Sequence, residues 1–173
     1  MAKLPIINVP DPLLKTQSDP VGQVDDELRR LMDNMLETMY DAPGIGLAAI
    51  QVAVPKRVIV MDTEGDEDTG RQPLFFVNPE VTWESEEFSV YNEGCLSVPE
   101  HYAEVERPAK VRVKYFDYHG QPQEELMDGL KATCVQHEID HLNGVVFIDY
   151  LSKLKRNMII KKVRKATKDA TIL

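Results

Sequence analysis

In the stretch TCVQHEIDHLNGVVF, residues 133–147, two histidines stand four apart with a glutamate directly after the first. No other feature constrains the fold as much. Four residues span about one helical turn, so a helix stacks His137 and His141 on one face, where both rings can reach a single ion. Ala132, Val135, Ile139 and Leu142 fall on an apolar side, and Asn143 and Gly144 end the pattern, so residues 131–142 read as a helix. Glu138 lies about 100° round from His137, beside the ion, close enough to exchange a proton with bound water. Two imidazoles do not complete a metal site, so another part of the chain has to bring a third donor to this helix.

Familiar completions of the motif fail. A metzincin would place a third histidine where this chain has Phe147. Thermolysin-like proteases use a downstream glutamate, yet no Glu or His follows His141. Of the two later acids, Asp149 reads as a cap for the last helix. The donor is therefore sought upstream, among His101, His119, Cys95 and Cys134. Cys134 tilts toward the helix N-terminus and reads as a wall beside the site. His119, in an HGQP turn, reads as solvated. His101 stays open on spacing. Cys95, in NEGCLSVP, has a context for close approach with its thiolate inward, although a buried structural cysteine fits equally well. One cysteine with two histidines would leave the fourth position to water, the form of a catalytic site.

The remaining chain reads as one α+β domain over residues 1–173, with antiparallel strands in the middle and helices near both ends. Residues 25–41 place Leu28, Leu31, Met32, Met35, Leu36 and Met39 at helical spacing behind Asp25, Asp26 and Glu27. RVIVMD at 57–62 reads as a buried strand and TEGDEDTGRQP at 63–73 as a solvated acidic loop. The runs LFFVN, VTWES, FSVY, AEVE, KVRVKYFDY and QEELMD read as strands. A last helix is expected from about Ser152 to Thr167, held to the body by Leu151, Leu154, Met158 and Ile159.

The net charge of −9 argues against a body that seeks nucleic acid or anionic lipid. Residues 151–173 reverse the sign, with eight Lys and Arg against Asp169 alone. The opening residues fit neither a secretory signal nor a transit peptide, and no apolar run approaches the ~18 residues of a membrane span. Two cysteines without an export signal point to free thiols in a reducing cytosol.

Three segments together resemble the peptide deformylases: GIGLAAIQ at 44–51, EGCLS at 93–97 and QHEIDHLNG at 136–144. The resemblance implies an α+β fold with antiparallel sheet packed around the motif helix, and removal of the formyl group from the first methionine of new bacterial polypeptides. It also implies Cys95 as the third ligand beside His137 and His141, Glu138 as the catalytic proton carrier, and Gln51 and the Leu96 backbone N–H as oxyanion donors. Gly44 and Gly46 would narrow the reacting pocket and pair with an extended peptide, while Ile45 and Cys134 would flank the methionine side chain. Glu93 and Asp140 would support the ligands, Asp140 being equally a plain helix salt-bridge residue. Where some members carry an arginine, this chain has Tyr102.

The family's metal is ferrous iron in many members, with zinc as runner-up here and nickel or cobalt as substitutes. Its C-terminal helix is thought to dock on ribosomal RNA, against which stands a simple solvated face. A bacterial cytosolic monomer acting on formyl-methionyl nascent chains is the expected whole. Two rivals are a metal-dependent peptidase and a catalytically idle ribosome-binding relative.

Overall fold

The computed structural model describes residues 2–172, with the backbone alone at 170–172. Helix α1 spans Asp26–Asp41, opened by the Asp25 carboxylate, which accepts the Leu28 N–H at 2.9 Å. Strands β1 (Gly46–Ala48), β2 (Val58–Met61), β3 (Leu74–Glu84), β6 (Val111–Phe116) and β7 (Pro122–Met127) form an antiparallel sheet in the order β1-β2-β3-β6-β7. β4 (Phe88–Cys95) and β5 (Val98–Pro108) make a separate hairpin. Helix α2 runs Gly129–Leu142 and α3 Lys153–Ile172. The α+β class read from the sequence is the class observed.

The β2 run Val-Ile-Val-Met is apolar throughout because both faces of the sheet are covered. Ile59 and Met61 pack with Ala132, Val135, Ile139 and Leu142 of α2. Val58 and Val60 pack with Leu28, Met32, Met35 and Met39 of α1. All four β2 residues are fully buried, and burying each such side chain contributes about 1.5–3 kcal/mol, enough to fix the strand between the helices. The hairpin covers the opposite side of α2 and joins Val146, Phe147, Ile148 and Val163 in a third apolar cluster. Beyond its first turn α2 is therefore enclosed, with its apolar side on the sheet and its polar side toward the hairpin.

Local geometry corrects several expectations. LFFVN and VTWES belong to one strand, bent where Asn78 takes a left-handed φ of 52° and the register shifts before Glu80. The Asn78 side chain accepts from Val21 N and donates to Val21 O, both at 2.8 Å, which fixes the bend. The last helix is capped by Ser152, whose hydroxyl accepts the Lys155 N–H. Asp149 instead accepts the Val146 N–H and pairs with Lys15. α3 is held by Val163, 2% exposed, with Ile159, Ile160 and Leu151; Leu154 and Met158 are 73% and 50% exposed. Among the described residues, no helix is long and apolar enough to cross a membrane.

Asp62 ties the end of β2 to the acidic loop. It accepts the Tyr40 hydroxyl at 2.5 Å and the Gly65 and Gln72 amides at 2.9 and 2.8 Å. Burial would raise its carboxyl, but these donors outweigh burial and hold it below the ordinary value of 3.8. A depressed carboxyl contributes stability above its unfolded pKa and loses it as pH falls through the folded one. Asp62→Asn is thus expected to lower the Tm by about 5 °C at pH 7, with the gap to wild type closing below about pH 4 in melts taken across the pH range. A gap that widened in acid would contradict this role.

Candidate active site

The polar side of α2 meets the tip of the hairpin. His137 and His141 project from one face, and Cys95 arrives at the end of β4, where the hairpin register shifts between Gly94 and Cys95. One donor atom from each of Cys95, His137 and His141 lies within 4.8 Å of the others, the one such group among the described residues. Cys95 Sγ is 3.3 Å from His141 Nε2. A thiolate with two imidazoles suits zinc, iron or a similar borderline ion. Glu138, 4% exposed, leaves Oε1 buried without a partner among the described residues, an acceptor waiting for a proton on something in the site. Donor chemistry and orphaned carboxylate both fit a metal ion.

The alternative donors lie elsewhere. His119 is exposed in its turn, and His101 lines the cleft without joining the donor group. Cys134 is a wall residue, its Sγ 3.9 Å from the Ile45 carbonyl. Burial, then the negative charge of Glu138, push its thiol well up and keep it neutral. Phe147, at the position a metzincin would give to histidine, stacks on His137 with ring centroids 6.1 Å apart.

Electrostatics divides the reacting groups. Burial pushes Glu138 up to about 7, against the opposing attraction of His137, so its carboxylate trades protons near neutrality. Burial and the neighbouring His137 hold His141 well below its ordinary value. For His137 burial works downward too, but Glu138, Cys95 and Glu93 outweigh it and raise the imidazole. Glu93 Oε1 sits 3.0 Å from His137 Nδ1 and aims Nε2 at the site. Burial would raise Glu93; His137 and Arg107 outweigh it and keep the carboxylate charged.

No sequence pattern singles out Arg107, since an arginine in a strand usually faces water. Here it is 5% exposed. Its Nε and Nη2 donate to Glu93 at 2.7 and 2.9 Å, and Nη1 donates to Asp140 at 2.8 Å. Asp140 is therefore tied to the ligand scaffold rather than forming a salt bridge along its own helix.

Gln51 (1% exposed) lies in the 3₁₀ turn Ala49–Val52, which follows β1 directly. Its Oε1 accepts the Ala48 N–H at 2.9 Å, while Nε2 donates to Ser97 Oγ at 3.1 Å and points at Cys95 Sγ, 3.5 Å away. Ser97, wholly buried, closes the EGCLS segment, but the sequence assigns it no role. Leu96, Gly44, Ile45, Gly46 and Cys134 all line one cleft of about 810 Å³ with the metal-ligand candidates Cys95 and His137. That volume is near the upper end of ordinary ligand sites. A Cβ on Gly44 would come within 2.8 Å of Leu96 Cδ1, so a larger residue there would displace the Leu96 side chain. Tyr102 is 66% exposed, its ring against Gly94 at the rim.

A cysteine sulfur, two imidazoles, an unpartnered glutamate oxygen and a cleft on an α+β frame define a metal-dependent hydrolase. The model of the polypeptide deformylase family matches residues 3–157, and the chain belongs to that family, whose members remove the N-formyl group from the initiator methionine. The peptide deformylase of Phenylobacterium zucineum is 62% identical over 172 residues, covering 98% of this chain and 100% of the relative. That of Rhizobium meliloti is 61% identical over 166 residues, 95% and 94% of the two chains. The crystal structure of peptide deformylase from Ehrlichia chaffeensis matches with a TM-score of 0.93 at 42% identity, over 98% and 99% of the chains. Its complex with actinonin matches with a TM-score of 0.90 at 45% identity, over 96% and 98%.

Proposed function

We propose that residues 1–173 form one catalytic unit that deformylates nascent formyl-methionyl chains, with Cys95, His137 and His141 holding ferrous iron, for which zinc, nickel or cobalt can substitute. When bound, a divalent ion supplies Lewis acidity toward water and the formyl oxygen. Glu138 takes the proton of the attacking water at its free Oε1 and returns it to the departing amine, leaving formate and a free N-terminus. The Gln51 Nε2–H and the Leu96 backbone N–H donate to the oxygen on which charge develops, Gln51 being held in place by Ala48 and Ser97. Gly44 and Gly46 keep the reacting end narrow so that only a formyl hydrogen fits, and Ile45 and Cys134 flank the methionine side chain.

The observation that carries this reading is the buried, unpartnered Glu138 oxygen beside the Cys95–His137–His141 group. The test is formate release from a formyl-methionyl peptide by anaerobically prepared protein. Internal peptide cleavage would mark a peptidase, and no turnover with metal bound would mark an idle relative.

Docking to the ribosome fits the exposed Lys161, Lys162, Arg164 and Lys165 of α3, which surround the buried anchor Val163. The enzyme is then a cytoplasmic monomer that meets its substrate at the exit of a bacterial ribosome. Neutralising these four residues is expected to weaken ribosome binding and reduce the slope of log K against log salt by roughly 3. Unchanged binding and slope would sink this part of the reading.

A further inference from the structure

The scaffold behind His137 reaches the protein surface at a residue outside the reacting cleft. Tyr150, 53% exposed, closes the 3₁₀ turn Phe147–Tyr150. Its hydroxyl donates to Asp140 Oδ2 at 2.7 Å, and the same oxygen accepts Arg107 Nη1 at 2.8 Å. The guanidinium carbon lies 5.1 Å from the Tyr150 ring centroid, so the ring covers the outer side of Arg107. From Arg107 the line continues through the two bonds to Glu93 and the bond from Glu93 to His137 Nδ1. An unbroken run of hydrogen bonds thus joins a surface phenol to an imidazole of the metal-ligand group.

The other imidazole has no such support. His141 Nδ1 is buried without a hydrogen-bond partner among the described residues. Protein orientation of the two rings is therefore one-sided, and it runs through Arg107. The outermost bond is also the most vulnerable, because the Asp140 side chain is 21% exposed whereas those of Arg107 and Glu93 are 5% and 4%. Water competes for the Arg107–Asp140 pair unless another donor pins the carboxylate, which the Tyr150 hydroxyl does.

We infer that Tyr150 and Asp140 are positioning residues that latch Arg107 from outside, holding His137 in its ligating orientation and slowing release of the metal. The inference rests on the reading of Cys95, His137 and His141 as the metal ligands. Groups that directly orient a ligating histidine are worth about 10- to 100-fold in metal affinity, and these two act through intermediaries, so an effect of roughly 3- to 10-fold is expected.

Cobalt(II) is the probe, because its thiolate charge-transfer absorption reports the occupied site without any turnover. Cobalt-loaded wild type, Tyr150→Phe and Asp140→Asn are mixed with excess chelator, and loss of that band is followed at one temperature well below every Tm. Faster release by about 3- to 10-fold is expected in both variants, with the double variant releasing at about the rate of the faster single one, because the groups act in series. Release at the wild-type rate in both single variants overturns the inference, even with a lowered Tm, since a merely structural role moves the melt and leaves the release rate alone. Absence of the thiolate band from loaded wild type would overturn the ligand assignment itself, a failure distinct from that of the latch.

Discussion

Glu138→Ala is expected to lower kcat/KM on a formyl-methionyl peptide by roughly 10²- to 10⁴-fold while the protein still binds one metal ion per chain. The carboxylate lies outside the donor group of Cys95, His137 and His141, so its removal leaves the ligands intact. What disappears is a buried oxygen with no competing partner and a proton affinity near neutrality. Glu138→Gln separates shape from chemistry, since the amide fills the same space and cannot accept the water's proton. Both variants are expected to be equally slow. Loss of the metal along with activity, or a glutamine variant close to wild type, would contradict the assignment; metal analysis alongside formate release decides it.

Gly46→Ala is the second large effect, expected to cost about 100-fold in kcat/KM through displacement of a reacting group by a fraction of an ångström or more. An added Cβ would sit 2.6 Å from Glu138 Oε2 and 2.8 Å from Cys134 Sγ, closer than real side chains approach. Both neighbours belong to the enclosed helix α2, which has little room to retreat. Glu138 must rotate or β1 must shift, and either change spoils the line between carboxylate and substrate. Gly22→Ala is the matching control, because a Cβ there meets nothing within 4 Å. Steady-state kinetics of the two variants at full metal occupancy tests the point, and a Gly46→Ala enzyme within twofold of wild type would refute it.

Legibility in the sequence followed the reach of each interaction. α1, β2 and the motif helix could be read because their patterns are local: methionines at helical spacing, four consecutive apolar residues, two histidines one turn apart. β3 read as two strands because its bend depends on Asn78 bonding to Val21, far away in sequence. On spacing, Cys95 could not be separated from His101; the structural difference is where the hairpin register shift lands, a tertiary fact. Arg107 was invisible for the same reason, since it acquires meaning only from the carboxylates folded against it, and Ser97, though part of EGCLS, shows its role only through the Gln51 carboxamide folded against it. At α3 half of the expected anchors hold: Leu151 and Ile159 pack in the third cluster, and Leu154 and Met158 do not. Leu154 and Met158 have the right period, but the hairpin and the 3₁₀ turn approach the side carrying Val163.

The enclosure of α2 has a consequence for how this chain can vary. A surface helix has one side that accepts nearly any polar residue, but from Ala132 to Ile139 no side chain of α2 is better than one-tenth exposed. Substitution has no neutral direction there: changes toward the sheet leave voids, and changes toward the hairpin disturb charge pairing. A saturation scan would record an almost unbroken intolerant block over that segment, beside a permissive record along the outer positions of α3. Packing on one side and charge pairing on the other leave the segment that carries the chemistry little room to vary.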